Sequence, residues 1–276
     1  MTTVAALLRE AGSKLESETP RLDAELLLGF VLQKNTAWFL AHGDDELALP
    51  SQEKFLALLE RRIVGEPIAH ITGSRGFWTL DLRVTADTLI PRPETELLVE
   101  LAIAKCASDK KLRILDLGTG TGAIALAIAS ECKNSELIAV DKSAAALEVA
   151  RENARRNNLP IEFIQSDWFV ALADKKFDLI VSNPPYIPAQ DPHLSQGDVR
   201  FEPMMALASG ADGLDGIRLI IAQAPQYCLP EAWLMIEHGF DQGEAVRALF
   251  FNAGFSNVET AQDLEQRDRV TIGQLL

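Results

Sequence analysis

Cysteine is scarce in this 276-residue sequence: only Cys106, Cys132 and Cys228 occur, and no CxxC motif joins any two of them. That excludes a disulfide-stapled scaffold, suggests neither a zinc site nor a redox pair, and makes a reducing cytoplasm the simplest setting. Histidine is thin too. His42, His70, His193 and His238 fall at no ligand spacing, so no metal site is expected. Positive charge is short as well, with 26 basic residues against 40 acidic ones and a net charge of −14. The deficit argues against a protein that grips duplex DNA by broad phosphate neutralisation or lies on an anionic membrane. Long apolar runs are missing: the longest, Ala123–Ala129, is far short of the roughly 20 residues a bilayer span needs. The opening stretch has no basic n-region and meets Arg9 and Glu10 early, so no signal peptide is expected. What is present is ordinary globular composition, 47% hydrophobic and 24% charged, enough for a substantial core.

Periodicity divides the chain. Residues 1–75 read as a small helical bundle. Val4, Leu7, Leu8, Ala11 and Leu15 form one apolar face, Leu22, Leu26, Leu27 and Phe30 a second, and Phe55, Leu58, Leu59 and Ile63 a third. Pro20 and Pro50 separate them, with Ser51 placed as an N-cap. This part carries no catalytic motif, which leaves packing and partner docking as equal readings. Residues 76–90 read as a β-hairpin linker in which GFWTLDLRV pairs with Asp87–Ile90. The prolines of IPRPETE at 90–96 forbid an internal strand there, and its acidic residues suit the first turn of a helix running to about Cys106.

Residues 91–276 alternate strands with helices. The expected strands are 112–117, 136–140, 161–165, 177–182, 233–237, 255–260 and 269–274. The expected helices are about 122–131, 143–157, 214–228 and 241–252. Near-continuous apolar strands such as FDLIVS and AWLMIEH belong to a parallel sheet covered on both faces. The fold class is therefore α/β, a doubly wound Rossmann-like sheet with ligands bound at the carboxyl ends of its strands.

Two strand ends carry chemistry. In RILDLGTGTGAIALAIA, Gly118, Gly120 and Gly122 alternate with Thr119 and Thr121 between a strand and a helix. Such a loop delivers backbone N–H groups to an anion, either a pyrophosphate or an amino-acid carboxylate. The G-x-G-x-x-G dinucleotide fingerprint fails at Ala123. Asp141 ends the next strand, 23 residues after Gly118. It suits both ribose hydroxyls of an adenosine ligand, or it caps the helix starting near Ser143. Asp167 and Trp168 follow the third strand, where a carboxylate and an aromatic ring suit an adenine; Trp168 equally suits a core.

The second motif is Asn183-Pro184-Pro185-Tyr186, directly after the strand Phe177–Ser182. A planar –NH2 group is a poor nucleophile because its lone pair is delocalised. The Asn183 side-chain carbonyl and the Pro184 backbone carbonyl can accept both of its N–H bonds and aim that lone pair at an electrophile. Tyr186 offers a flat wall. No strong base is needed before attack, since the nitrogen can shed its proton after methylation.

Together these segments resemble the HemK/PrmC family, the glutamine methyltransferases that modify class I peptide release factors. The resemblance runs through EPIAHITG at 66–73, IPRPETE at 90–96, DLGTGTGAIALAIA at 116–129 and VDKSAAALEVARENARRN at 140–157. It continues in SDWF at 166–169, SNPPYI at 182–187, FEP at 201–203, SGADGLDG at 209–216 and EHGFDQG at 237–243. It implies a seven-stranded methyltransferase sheet with its last strand antiparallel, and S-adenosylmethionine as cofactor, leaving as S-adenosylhomocysteine. Gly118 to Gly122, Asp141, Trp168 and Asn183 would hold the cofactor, with Asp167 beside them. Asn183, Pro184, Pro185 and Tyr186 would hold the glutamine of a Gly-Gly-Gln tripeptide. A class I release factor is the implied partner, and no nucleic acid, membrane or metal is expected; a monomer is the default. One departure is DLEQRDRV at 263–270, which lacks a glycine often found before the final strand in relatives. The alternatives are an adenine-specific DNA methyltransferase using the same Asn-Pro-Pro-Tyr, an NAD-dependent oxidoreductase, and a non-catalytic assembly factor. The first needs cations for phosphates, the second leaves Asn-Pro-Pro-Tyr unexplained, and the third leaves an intact pocket unexplained.

Overall fold

Helical apolar spacing shapes the unit Met1–Ser74 in the computed structural model, which describes residues 2–106 and 111–276. Its helices are α1 (Val4–Lys14), α2 (Pro20–Leu32), α3 (Thr36–Ala41), α4 (Leu49–Ile63) and α5 (Ile68–Thr72). The Thr3 hydroxyl caps α1 by accepting the Ala6 N–H at 3.3 Å. The first apolar stripe is buried throughout, from Val4 to Leu15. The second is corrected: Leu22, Leu26 and Phe30 are exposed, while Ala24, Leu27 and Leu28 are fully buried. Helix α2 is apolar nearly all round, so two faces satisfy a 3.6-residue period and packing chooses between them. In the third stripe Phe55 and Leu59 are buried and Ile63 is exposed. Ser51 is not a cap, because Pro50 lies in the first turn of α4 and the helix starts at Leu49. The short α3 and α5 escape a periodicity reading, since one or two turns carry too few apolar positions.

A hairpin of β1 (Ser74–Phe77), which starts at the last residue of the first unit, and β2 (Leu80–Arg83) opens the unit Arg75–Leu276. The expected pairing with Asp87–Ile90 is replaced by a reversal within GFWTLDLRV itself. Trp78 takes φ +55° at the turn, and its N–H donates to Glu96 at 2.8 Å. A 3-10 turn at Pro93–Thr95 leads into α6 (Glu96–Lys105).

The main sheet contains β3 (Arg113–Leu117), β4 (Glu136–Asp141), β5 (Glu162–Gln165), β6 (Phe177–Ser182), β7 (Cys228–Glu237), β8 (Ser256–Gln262) and β9 (Asp268–Gln274), with α7 (Ala123–Glu131), α8 (Ala144–Asn157), α9 (Asp215–Gln223) and α10 (Gly243–Asn252) between strands. The strand order is β5-β4-β3-β6-β7-β9-β8. The first five strands are parallel, and β9 runs antiparallel to both neighbours, as the resemblance implies. Alternate residues feed two cores. Ile114, Leu179 and Val181 join the core of α6 and α7, while Leu115, Leu117 and Ile180 join that of α9 and α10. Helix α9 stops at Gln223, short of the expected 228, because Pro225 removes a donor and clashes with the preceding turn. Gln266 takes the left-handed position, φ +61°, in the β8–β9 turn within the 263–270 segment that lacks a glycine. Cys106 and Cys132, at the ends of α6 and α7, meet as hydrogen-bonding thiols that raise the Cys106 pKa, a neighbourhood the sequence spacing conceals.

The chain leaves β3 for β4 on one side, and β6 lies on the other. The β3–β6 edge is therefore the topological switch point, where a crevice opens at the carboxyl ends of the strands.

Candidate active site

The glycine loop turns sharply off the end of β3. The N–H groups of Gly118 and Thr119 both donate to the Val140 carbonyl at 2.9 Å, which ties the loop to β4. A side chain added at Gly120 would meet nothing within 4 Å, so this glycine keeps the backbone open to a ligand in the cleft. Gly122 has a different task. Its φ is +84°, and a Cβ there would lie 3.1 Å from Leu126 and 3.3 Å from Ala150. It lets α7 and α8 approach, and it does not line the cleft, whereas Gly118, Thr119, Gly120 and Thr121 do.

Asp141 ends β4 and lines the same cleft. One carboxylate oxygen accepts the Gly120 N–H at 2.9 Å and the other accepts the Ser143 N–H at 2.8 Å. The cap of α8 is Ser143, whose hydroxyl accepts the Ala146 N–H, so Asp141 braces the loop instead of closing the helix. Each carboxylate oxygen retains acceptor capacity for a ligand. Partial burial raises the Asp141 pKa, opposed by those backbone donors. Asp167 is exposed and pairs with Lys142 at 2.7 Å. Trp168 holds φ +49°, packs beside Gly118, and both lines the cleft and contacts the core behind it.

The Asn-Pro-Pro-Tyr segment starts where β6 ends. The Ser182 hydroxyl donates to the Leu117 carbonyl at 2.7 Å, binding the tips of β6 and β3. Asn183 faces the cleft, and its side-chain NH2 donates to the Thr95 hydroxyl at 3.1 Å. Pro185 lines the cleft; Pro184 is buried, and Tyr186 is half-buried outside the lining. Gln242 donates to the Tyr186 carbonyl at 2.9 Å. Burial and the nearby Glu237 raise the Tyr186 pKa above the usual phenol value. Two further lining segments, 87–95 and 203–206, are joined by Glu202, which accepts the Ile90 N–H at 2.8 Å and pairs with Arg92.

Four functional candidates were not picked out from the sequence: Asp116, Thr95, Glu202 and Glu237. All four are buried. Asp116 accepts the Thr119 hydroxyl at 2.6 Å, and burial pushes its pKa up to about 7. The available signal was chemical: a carboxylate near the tip of an otherwise apolar strand, in RILDL and again in AWLMIE. Among the described residues, no cluster of three or more His, Cys, Asp or Glu is placed to hold a metal, and no helix is long and apolar enough to cross a membrane.

The geometry offers an open glycine turn at a helix N-terminus, a carboxylate at the next strand tip, an aromatic lining the same cleft, and the Asn183 amide at the tip of the strand on the other side of β3. Comparison with known proteins accords with that arrangement. Residues 93–201 match the family model "Methyltransferase small domain" and residues 2–73 match "PrmC N-terminal domain". The release factor glutamine methyltransferase of Xylella fastidiosa strain 9a5c is 52% identical, over 99% of this chain and 98% of its own. That of Escherichia coli K12 is 51% identical over 97% of each chain. Among solved structures, the T. thermophilus 16S rRNA N2 G1207 methyltransferase with AdoMet and guanosine superposes with a TM-score of 0.52 at 18% identity. It covers 74% of this chain and 50% of its own, a likeness of fold.

Proposed function

The chain belongs to the release factor glutamine methyltransferases, and from that premise we propose that it transfers a methyl group from S-adenosylmethionine to the side-chain amide nitrogen of the glutamine in a Gly-Gly-Gln loop of class I release factors, in support of translation termination. The observation that carries this reading is the position of Asn183. It stands at the tip of β6, at the switch point and in the same cleft as the glycine loop, with its NH2 side occupied by Thr95. Its carbonyl oxygen is then the side available to a substrate N–H.

S-adenosylmethionine, when bound, supplies an electrophilic methyl group carried on a sulfonium. The residues present fit that cofactor: a Cβ at Gly120 would fill open cleft space, and the Asp141 oxygens retain lone pairs for ribose hydroxyls. Trp168 and Asp167 serve the adenine. Asn183 and the Pro184 carbonyl accept the two amide N–H bonds of the glutamine and aim its lone pair. Pro185 confines the amide plane from the cleft wall, with Tyr186 outside the lining. Positive charge that develops on the nitrogen is stabilised by the same two acceptors, already oriented before reaction.

The helical unit Met1–Ser74 supplies release-factor docking, because a lone glutamine offers too little binding energy for selectivity. The setting is the cytoplasm, the working form is a monomer, and no metal takes part. The decisive experiment gives the enzyme labelled S-adenosylmethionine with a purified release factor and, separately, with adenine-containing DNA, followed by peptide mass mapping. Label on the Gly-Gly-Gln glutamine is the expected result. Methylated DNA beside an unmodified release factor would promote the adenine reading.

A further inference from the structure

An amide used as a hydrogen-bond acceptor has a polarity problem. Asn183 carries a carbonyl and an NH2 of nearly equal size, and only one orientation presents an acceptor to the substrate. Something must distinguish the two ends. Thr95 alone cannot, because a hydroxyl donates or accepts with equal ease.

The strand register supplies a candidate. Ser182 of β6 lies beside Ile236 of β7, so the next residues, Asn183 and Glu237, stand side by side at the strand tips. Glu237 is 1% exposed, and one of its carboxylate oxygens has no hydrogen-bond partner. Thr95 and Asn183 both lie close enough to this carboxyl group to lower its pKa against the effect of burial. Thr95 comes from IPRPETE, Asn183 from Asn-Pro-Pro-Tyr and Glu237 from EHG, three motifs far apart in sequence.

We propose that Glu237 is a positioning residue whose buried, acceptor-only carboxylate accepts hydrogen bonds from the Thr95 hydroxyl and from the Asn183 NH2, and so fixes the Asn183 carbonyl oxygen toward the methyl-accepting nitrogen. An ionised carboxylate has no proton to give, so Thr95 must donate to it and accept from Asn183. The chain of donors then runs one way, and Asn183 cannot flip without leaving its NH2 against the substrate's own N–H. The inference rests on the glutamine-methylation reading for the identity of that nitrogen.

The environment makes the device sensitive to pH. Burial raises the Glu237 pKa to about 7, against the lowering effects of Thr95, Arg269 and Asn183. The charged and titratable groups around it are Arg269 from β9, Glu94 from the 3-10 turn and Tyr186 after β6, with Arg92 near Tyr186. Below that value Glu237 is a carboxylic acid and can donate to Thr95, which frees the hydroxyl to donate to Asn183 and removes the preference.

The test uses the full-length enzyme, a purified release factor and the variants Glu237→Gln, Thr95→Val and Thr95→Ser. Glu237→Gln keeps the shape but can donate. It is expected to lose about 10- to 100-fold in kcat, the usual range when the support of a reacting group is removed, with cofactor affinity and the KM for the release factor changed less than about threefold. The wild-type kcat should rise with pH through about 7, and the Glu237→Gln profile should be flat. Thr95→Val should fall like Glu237→Gln, and Thr95→Ser should recover most of that loss. If Glu237→Gln does not fold, the Thr95 pair carries the same comparison.

A second arm needs no turnover. The Asn183 side-chain NH2 resonances, assigned by their loss in Asn183→Ser, should shift with a midpoint near 7 in the wild type and stay constant in Glu237→Gln. Titrating resonances in an enzyme that leaves the release factor unmodified would uphold the arrangement and reject the substrate. Wild-type kcat in Glu237→Gln, or Asn183 resonances indifferent to Glu237, overturns the proposal.

Discussion

Replacing Asp141 with alanine should separate cofactor recognition from loop architecture. The carboxylate uses one acceptor site on each oxygen, for the N–H groups of Gly120 at 2.9 Å and Ser143 at 2.8 Å. A carboxylate offers about four such sites, which leaves two for the ribose hydroxyls. Asp141 is only partly buried, so water replaces some of what the variant loses. The pair of charge-assisted bonds is therefore worth about 1.5–3 kcal/mol, or about 10- to 150-fold in the Kd for S-adenosylmethionine. Calorimetry on the folded variant measures this directly. Loss of the bracing bonds to Gly120 and Ser143 adds a further effect common to all ligands. A cofactor analogue without the two ribose hydroxyls isolates the direct part. It should bind more weakly than S-adenosylmethionine to the wild type, and Asp141→Ala should weaken it further only by the part due to the lost bracing bonds, giving a coupling energy of about 1.5 kcal/mol or more. Unchanged affinity in Asp141→Ala, or hydroxyl and carboxylate deletions that simply add, would refute a direct role for Asp141.

Asn183→Ala should reduce release-factor methylation by about 10²–10³-fold at saturating cofactor, and Asn183→Asp should be severely impaired as well, as read by labelled methyl transfer. Gly120→Ala should lower cofactor affinity with a modest loss of melting temperature, because its Cβ enters open cleft space. Gly122→Ala should cost about 1–3 kcal/mol of stability in denaturant titrations, because its Cβ crowds Leu126 and Ala150. A fragment spanning Arg75–Leu276 should bind the cofactor but lose at least about tenfold in kcat/KM on the release factor; full activity would remove the helical unit from recognition. A later cut, near Thr85, would strip the hairpin residues Phe77 and Leu82 out of the sheet's core. Asp116 and Glu237 are both raised to about 7 by burial, so between about pH 4 and about pH 7 the folded chain binds more protons than the unfolded one. Stability should therefore fall as pH rises through that window, by up to roughly 3–4 kcal/mol per group, and Glu237→Gln should remove its share of the slope in urea titrations at several pH values.

Much of the site could be read without coordinates because its chemistry lies in contiguous segments. A strand followed by GTGTG, an aspartate at the next strand end and Asn-Pro-Pro-Tyr after the fourth each state a local backbone path and a set of donors or acceptors. The structure brings most of them to one cleft. It also divides the work more finely. Gly122 serves helix packing, Pro184 is buried, and Tyr186 lies behind the lining. Thr95, Glu202 and Glu237 look unremarkable in sequence because each acts through a neighbour that is remote along the chain, whereas Asp116 acts on Thr119 three residues away and is hidden only by its complete burial.

The sequence by itself determined the elements whose information is local. Apolar period 3.6 marks α1 and α4, near-continuous β-branched and leucine runs mark the parallel strands, and prolines mark where helices start or stop. Tertiary structure alone decided matters in which local rules tie. Helix α2 is apolar on two faces, and only packing against its neighbours buries Leu27 and Leu28 while leaving Leu22, Leu26 and Phe30 outside. GFWTLDLRV has strand alternation throughout, and only the Trp78 turn, held by Glu96, folds it back on itself. Glu237, Asn183 and Thr95 become neighbours because the strand order places β7 beside β6 with the 3-10 turn against their tips. Side-chain periodicity specifies which face of an element is buried. Which elements meet is set by the total burial and hydrogen bonding of the whole sheet, a sum over pairs that no single segment contains.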